Sequence, residues 1–345
     1  MKTSLLIRSL AALTLVALSA CDDDPVEPDG GAPREHAVVL NSVSRSVTIF
    51  PVSEPDSTVT IALDPLSTPT TLAVRDDIAL VPLGVFAAVA VIDLDAGEVI
   101  DQIPLPTGSG ATGVAIVDDS LAFVANPELN TVTPVYYRTG ETGDEIAVGT
   151  YPTALVALGD RVFVIEANLV GFSPAGPSTV SVIDAGTLEV DSDFVLSGKN
   201  AADAVTDGSE LYIVHAGNFD SANAAVSVVD LPTAAEADFH TGFGAFATEV
   251  EVLLSGVLIT SSPMYGVAMF DPESEDFLVE PGEGFGSAGE NILGIGLDSN
   301  QRLWVLDAVD CGSPGRALRV SGPAGIVVDE ATVESCPEAI GFGIF

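Results

Sequence analysis

The stretch from Asp118 to Leu158 reads DDSLAFVANPELNTVTPVYYRTGETGDEIAVGTYPTALVAL. It contains four short segments rich in Val, Ala, Phe and Tyr, and each is bounded by Gly, Pro, Asn or Asp. The segments are Ser120–Asn126, Thr131–Tyr137, Asp144–Val148 and Thr153–Leu158. This pattern is typical of short β-strands joined by turns, and no segment is long enough for a two-turn amphipathic helix.

The same unit recurs along the chain. Turn sequences are found 41 to 48 residues apart, at Asp76-Asp77, Asp118-Asp119, Gly159-Asp160, Asp207-Gly208, Ser255-Gly256 and Asp298-Ser299. An apolar strand candidate follows each turn, and in several units a second one ends at an acidic turn. Four strands in about 40–50 residues is the period of a β-propeller blade, whereas solenoid repeats are usually shorter or helical.

The strand count predicts how the ring closes. Seven candidates exist for the innermost strand of a blade: Thr70–Val74, Gly113–Val117, Thr153–Leu158, Ala202–Thr206, Thr248–Leu253, Ile292–Leu297 and Ala339–Phe345. The first unit lacks an inner strand and begins at Ala37–Leu40, while the last inner strand, Ala339–Phe345, has no second strand after it. We therefore predict an all-β, seven-bladed propeller in which the C-terminal strand completes the N-terminal blade and removes two exposed edges.

Residues 1–21 have the features of an export signal. Lys2 and Arg8 accompany the apolar run Leu10–Ala20, which is too short to span a membrane. The run ends in Leu-Ser-Ala-Cys, which resembles the lipobox of bacterial lipoproteins. That resemblance implies cleavage before Cys21 and its modification by lipid, which would anchor the protein to a membrane. The alternative is an ordinary signal peptide followed by a chance cysteine.

Residues 22–35 are predicted to be a tether, and residues 36–345 the propeller. The segment after Cys21 reads DDDPVEPDGGAP, and its acids, prolines and glycines cannot bury enough apolar surface to fold. We therefore expect a lipid-anchored protein of the cell envelope, on the periplasmic face or the outer surface. In enteric bacteria an aspartate such as Asp22 favours retention at the inner membrane, but the choice of membrane stays open.

The charge of the chain limits its partners. It has 11 basic and 50 acidic residues and a formal net charge of −39 at pH 7. Such a charge repels nucleic acid and anionic lipid headgroups, so neither is expected as a partner. It suits a bound cation, a cationic partner, or solubility alone. We expect a monomer.

The chain has three cysteines, and Cys21 is assigned to the lipid. Cys311 and Cys336 then form an even pair in an exported protein, which predicts a disulfide. A metal-binding or catalytic pair is the alternative, but neither cysteine has a histidine near it in sequence.

Several segments resemble the YVTN, or YncE-like, family of bacterial β-propellers. Phe123–Asn126 reads FVAN and is similar to the family's YVAN, Ser181–Asp184 reads SVID, and Gly149–Pro152 reads GTYP, like the segment that leads into the inner strand. The resemblance covers residues 36–345 and is clearest from Asp76 to Val190. It implies the propeller fold but no particular function, because propellers perform many unrelated ones.

Motifs of catalysis are few. The sequence has no HExxH, CxxC, Walker or G-x-S-x-G motif. Gly284–Gly289 spells G-x-G-x-x-G, but no helix is predicted after it, and Asp93–Glu98 lacks the distal ligands of a calcium loop.

Polar residues at equivalent strand ends are the candidates for a binding site. Loops that precede the inner strands place Thr70, Thr112, Thr153 and Thr248 at one position, and the second strands end at Asn41, Asn126, Glu166, His215 and Asp307. In a propeller both sets face the mouth of the central channel, where we expect a ligand to bind. The alternative is that these groups satisfy the backbone of the turns.

Two classes of function follow from this pattern. The first is a binding or interaction module whose channel mouth captures a protein, a glycan or a cation, and the residues favour it. The second is an exported metal-dependent hydrolase or lyase, similar to the lactonases. Because two carboxylates would share the mouth, we predict a divalent cation, Ca²⁺, at Glu166 and Asp307.

Overall fold

Strands make up the regular secondary structure of the computed structural model, which describes residues 33–218, 222–287, 290–322 and 325–345. Residues from Pro33 to Phe345 form one compact unit. The predicted signal, Cys21 and nearly all of the predicted tether lie outside the described residues. No helix in the described ranges is long and apolar enough to cross a membrane.

The strands are numbered in chain order. The first seven are β1 (Glu35–Asn41), β2 (Ser46–Pro51), β3 (Val59–Ala62), β4 (Ala73–Arg75), β5 (Ile78–Pro82), β6 (Ala88–Asp93) and β7 (Glu98–Pro104). Next come β8 (Val114–Ile116), β9 (Leu121–Asn126), β10 (Thr131–Tyr136), β11 (Glu141–Thr142) and β12 (Ile146–Ala147). They are followed by β13 (Pro152–Leu158), β14 (Arg161–Glu166), β15 (Leu169–Val170), β16 (Ser173–Pro174), β17 (Thr179–Asp184) and β18 (Glu189–Val195).

The second half of the chain continues the pattern. It holds β19 (Ala201–Thr206), β20 (Glu210–His215), β21 (Ala225–Asp230), β22 (Ala235–Thr241), β23 (Glu249–Val252), β24 (Leu258–Ser262), β25 (Gly266–Asp271) and β26 (Asp276–Val279). The last five strands are β27 (Ile292–Leu297), β28 (Leu303–Asp307), β29 (Pro314–Ser321), β30 (Ile326–Ser335) and β31 (Pro337–Ile344).

Apart from the two-stranded β15-β16 sheet, these strands form seven antiparallel sheets, which are the blades of a propeller. From the axis outward the orders are β31-β1-β2-β3, β4-β5-β6-β7, β8-β9-β10 with β11 and β12, β13-β14-β17-β18, β19-β20-β21-β22, β23-β24-β25-β26 and β27-β28-β29-β30. We number these blades one to seven in that order. The predicted seven-bladed fold is confirmed.

The C-terminal strand closes the ring as predicted. β31 pairs with β1 from Glu35 opposite Ile344 to Leu40 opposite Ala339. The strand runs from Pro337 to Ile344, slightly earlier than the predicted Ala339–Phe345.

Seven apolar clusters fill the spaces between consecutive blades. The cluster between blades seven and one contains Trp304, whose ring lies 5.4 Å from that of Phe50. Second strands such as β9 are buried along their whole length, because neighbouring blades cover both of their faces. Outer strands such as β7 are mostly exposed.

The predicted disulfide between Cys311 and Cys336 is present, with a sequence separation of 25. Cys311 lies in the loop between β28 and β29, and Cys336 directly precedes β31. The bridge therefore ties blade seven to the strand that completes blade one. In the chain-entropy model a loop of this length contributes on the order of 3 kcal/mol.

The two faces of the propeller differ in their loops. We call one of them the "mouth face". It carries the loops that connect the second and third strands of each blade and the loops that connect each outer strand to the inner strand of the next blade. The opposite "turn face" carries the turns from first to second and from third to fourth strands. β1 begins on the turn face, at Glu35, and ends on the mouth face, at Asn41.

Deleting residues 337–345 should open the ring. The deletion removes the inner neighbour of β1 and exposes its edge, so the loss of stability should be on the order of several kcal/mol. Thermal unfolding of the truncated chain and of the control Ile344→Ser, whose side chain is 56% exposed, measures the effect. A truncated chain that unfolds at the wild-type temperature would contradict this role of β31.

Candidate ligand cavity at the channel mouth

A cavity of about 370 Å³ opens at the axis on the mouth face. One residue at the start of the inner strand of every blade lines it. In blade order these are Glu338, Thr70, Thr112, Thr153, Ala202, Thr248 and Leu293. The four threonines predicted from their equivalent positions are thus brought together, and Ala202, Leu293 and Glu338 complete the ring.

β-bulges aim several of these side chains at the axis. The pairing of the first two strands skips one inner-strand residue in blades one, four, five and seven. The skipped residues are Glu338, Thr153, Ala202 and Leu293. Because a bulged residue is left out of the ladder, its side chain is redirected, which is why bulges recur beside functional sites.

Threonine hydroxyls join neighbouring blades around part of the ring. The Thr71 hydroxyl donates to the carbonyl of Thr112 at 2.7 Å, and the Thr112 hydroxyl to the carbonyl of Thr153 at 3.4 Å. The Thr153 hydroxyl donates to the carbonyl of Ala201 at 3.0 Å. In contrast, the Thr248 hydroxyl is buried and has no hydrogen-bond partner in the described part of the chain. This side of the ring therefore has an unused hydrogen-bonding group.

Four carboxyl groups lie on inner strands of blades five, six and one, and the sequence analysis did not identify them. They are Asp203 on β19, Glu249 and Glu251 on β23, and Glu338 on β31. Glu249 and Glu338 line the cavity. Among the described residues the Glu249 carboxyl has no hydrogen-bond partner, whereas Asp203 accepts a hydrogen bond from the Val250 amide at 3.1 Å.

Burial makes these carboxyl groups hard to ionise. Desolvation raises the pKa of Asp203 to about 6 and that of Glu251 to about 8. The pKa of Glu249 is raised well above its ordinary value, first by desolvation and then by the nearby charges of Asp203, Glu251 and Glu338. Desolvation also raises the pKa of Glu338. Desolvation therefore favours the protonated carboxyl groups, and a cation beside them would favour their ionised form.

The polar residues at the ends of second strands do not line this cavity. Asn41 and Asn126 are fully buried, and their amide groups donate to hydroxyls on the third strand of the same blade. Asn41 Nδ2 lies 3.0 Å from Thr48 Oγ1, and Asn126 Nδ2 lies 2.8 Å from Thr133 Oγ1. These bonds hold the two central strands of the blade together, so the amides have a structural role, through strand hydroxyls rather than through the backbone of the turns.

Glu166 is also fully buried and bonded within its blade. It accepts from the Gly149 amide at 2.9 Å and from the Thr179 hydroxyl at 2.6 Å. Desolvation raises the pKa of Glu166.

His215, also fully buried, lies with Nε2 2.7 Å from Ser227 Oγ, which in turn bonds Glu236 at 2.7 Å. Since the Ser227 proton goes to Glu236, His215 donates from Nε2. Desolvation lowers the pKa of His215 to about 3, so its ring is neutral.

Asp307 has a counter-ion that the sequence analysis overlooked. One of its oxygens accepts from the Asn291 and Val309 amides at 3.2 and 2.9 Å, and the other pairs with Arg316. The charge of Asp307 is thus already balanced within blade seven.

The predicted Ca²⁺ site stays a prediction. Within the described ranges no group of three or more His, Cys, Asp or Glu side chains is arranged to hold a metal ion. The carboxylate of Glu166 accepts its hydrogen bonds in blade four, and the carboxylate of Asp307 has its partners in blade seven.

Comparisons with known proteins indicate the fold. No protein-family profile and no curated protein sequence matches this chain. Solved structures are similar at low sequence identity. Kuenenia stuttgartiensis hydrazine synthase has a TM-score of 0.62 at 15% identity, over 80% of this chain and 90% of that one. Virginiamycin B lyase from Staphylococcus aureus has a TM-score of 0.59 at 12% identity, over 81% and 92% of the two chains.

A third similar structure is a protein of unknown function from Desulfotomaculum acetoxidans. It has a TM-score of 0.63 at 13% identity and covers 89% of this chain and 98% of that one. These neighbours are β-propellers with different functions. At such identities the likeness shows the fold alone.

The channel carboxyls should make the protein less stable as the pH rises. Between its ordinary pKa of 4.5 and about 8, Glu251 holds more proton in the folded than in the unfolded chain. Stability therefore falls across this window as the pH increases. Between pH 5 and pH 9 the free energy of unfolding should fall less in Glu251→Gln than in the wild type. The difference should exceed about 1.4 kcal/mol, which is the equivalent of one pKa unit.

Urea unfolding at several pH values, followed by the fluorescence of Trp304, measures this difference. The control is Glu98→Gln, which replaces an exposed acid on the outer strand β7 and should leave the wild-type slope unchanged. Equal slopes for Glu251→Gln and the wild type would show that Glu251 ionises freely in the channel.

Proposed function

We propose that this protein is an exported, lipid-anchored binding module whose ligand occupies the cavity at the channel mouth. The observation that carries the proposal is the convergence of one residue from every blade on a single cavity of about 370 Å³. That volume lies within the range of sites for small molecules or for a side chain of a partner. The unpartnered Glu249 carboxyl provides a polar group that a ligand can satisfy.

The disulfide supports export. Disulfides persist in secreted and periplasmic proteins, whereas cytosolic proteins keep their thiols reduced. The bond between Cys311 and Cys336 thus agrees with the signal-like segment Leu10–Ala20. Anchoring through Cys21 and placement in the cell envelope are parts of the same proposal.

A site-specific photocrosslinker tests where the ligand binds. We would introduce it in the cell that makes the protein, in place of Leu66 on the mouth face or of Leu254 on the turn face. Both side chains are exposed, at 70% and 90%, so the substitution should not disturb folding. After irradiation, an adduct on the purified full chain should form at position 66 and be detected by mass spectrometry.

The Leu254 position is the matched control. Adducts at position 66 alone would agree with a ligand at the mouth. Adducts at position 254 alone, or none at either position, would contradict the proposed function.

Replacing the predicted lipidated cysteine should abolish anchoring. Cys21→Ser removes the only thiol that can receive the lipid after cleavage, so the protein should fail to incorporate a labelled fatty acid and leave the membrane fraction. Metabolic labelling followed by fractionation measures both effects. The Cys336→Ser variant should still be labelled, and an unlabelled wild-type protein would contradict the lipobox.

A further inference from the structure

Exposed apolar side chains are arranged around the cavity on the mouth face. In six blades the loop between the second and third strands carries at least one: Val43, Val85, Leu129, Val170 and Phe172, Met264 and Val309. Their exposure ranges from 37% for Leu129 to 73% for Val85. Single exposed apolar residues are ordinary, but a set that recurs in equivalent loops around one opening marks an interaction surface.

The turn face is the more acidic of the two faces. The turns between first and second strands carry seven aspartates: Asp76, Asp77, Asp118, Asp119, Asp160, Asp207 and Asp298. The turns between third and fourth strands add Glu54, Asp56, Asp95, Glu273 and Glu275. In the described residues of the mouth face, the loops between second and third strands carry Glu128 and Asp310, and the loops from outer to inner strands carry Asp64, Glu280, Glu283 and Glu290. The protein's large negative charge is therefore unevenly distributed, and the mouth face is the less acidic and more apolar of the two.

The hairpin formed by β15 and β16 carries two of these exposed apolar side chains, Val170 and Phe172. It is inserted between β14 and β17, and its turn exposes Phe172. Phe172 makes an edge-to-face contact with Tyr151 at 6.3 Å, so the two rings support each other. Aromatic side chains in this setting are common anchors of protein–protein interfaces.

The cavity inside the ring adds a charge requirement. Among the described residues, Glu249 and Glu338 are the two carboxyl groups that line it, and no lysine or arginine does. Glu338 already accepts a hydrogen bond from the Ser42 side chain, whereas Glu249 has no partner in the described part of the chain. A ligand group that binds beside both carboxyls must donate hydrogen bonds and favour their ionised form. A basic side chain does both, and its aliphatic stem suits the apolar lining of Ala202 and Leu293.

We propose that the mouth face docks a polypeptide that presents a lysine or arginine among apolar side chains. The apolar residues pack on the exposed loops, and the basic side chain enters the cavity beside Glu249 and Glu338. This inference rests on the proposed binding function and specifies its ligand. A net charge of −39 assists the encounter with a basic segment.

Two other occupants fit the face less well. An anionic membrane would be repelled by the charge of the chain. In addition, β1 starts on the turn face, so the described chain enters the propeller on the side away from the mouth. A second copy of this chain would bring two acidic cavities towards each other, which is unfavourable.

Selection of peptides from a random phage-displayed library on the immobilised propeller, residues 33–345, tests the inference. Those residues form one compact unit of the chain. We expect selected peptides to share a lysine or arginine flanked by apolar residues. Binding by fluorescence anisotropy should weaken about tenfold or more for Glu249→Gln and for the double variant Val85→Ser and Phe172→Ser. Exchanging the peptide's basic residue for Gln should weaken wild-type binding similarly.

The control is Leu254→Ser, which removes an exposed apolar side chain from the turn face and should leave binding unchanged. Thermal unfolding verifies that each variant is folded. Phosphatidylglycerol vesicles and sedimentation of the protein alone test the other two occupants. Vesicle binding or self-association that depends on Val85 and Phe172 would overturn the inference.

The remaining outcomes separate this inference from the function on which it rests. Peptides that bind at the mouth but lack a basic residue would overturn the basic ligand and leave the binding module intact. Selected peptides whose binding is unaffected by every mouth variant would overturn both.

Discussion

The pairing of β31 with β1 is the interaction on which the rest of the structure depends. It joins the two ends of the described chain through consecutive residue pairs from Glu35 opposite Ile344 onward. The Cys311–Cys336 bridge holds the start of β31, and Trp304 packs between blades seven and one. Only a closed ring brings the inner strands of all seven blades around one axis. The cavity is therefore a consequence of closure as much as of the residues that line it.

Closure also places the ends of the second strands and the starts of the inner strands in different environments. Residues at the ends of second strands are enclosed between blades, so their polar groups must find partners inside the blade. The amide nitrogens of Asn41 and Asn126 do so through hydroxyls on the third strand, and Asp307 through Arg316. Residues at the start of inner strands face the axis, where no neighbouring strand covers them. Ligand binding is therefore expected at the inner strands, and cohesion of the blade at the second strands.

The sequence predicted the propeller, its closing strand, the disulfide and the threonines of the cavity, because each follows from a repeat or from a count of cysteines. It did not reveal that Asn126 forms a hydrogen bond within its blade, since this depends on the register that sets Asn126 beside Thr133. A signal was nevertheless available: Ser-Val-Thr, Thr-Val-Thr, Thr-Val-Ser and Ala-Val-Ser open four third strands. Glu338 was missed although it follows Pro337 as Thr153 follows Pro152. The hairpin of β15 and β16 lies in an insertion that has no counterpart in the described parts of the other blades.

The channel carboxyls are difficult to explain by folding alone. Strand pairing places Ala154, Asp203, Glu249, Gly294 and Ala339 at equivalent positions of their inner strands. Three of these five blades form the same strand with alanine or glycine, so the fold does not require a carboxyl there. Glu249 is desolvated and lacks a hydrogen-bond partner in the described structure, which makes its ionised form unfavourable. Groups that a fold does not need and that lower its stability at neutral pH are concentrated at functional sites. The position of Glu249 on the wall of the cavity therefore favours a ligand that stabilises the ionised form of its carboxyl group.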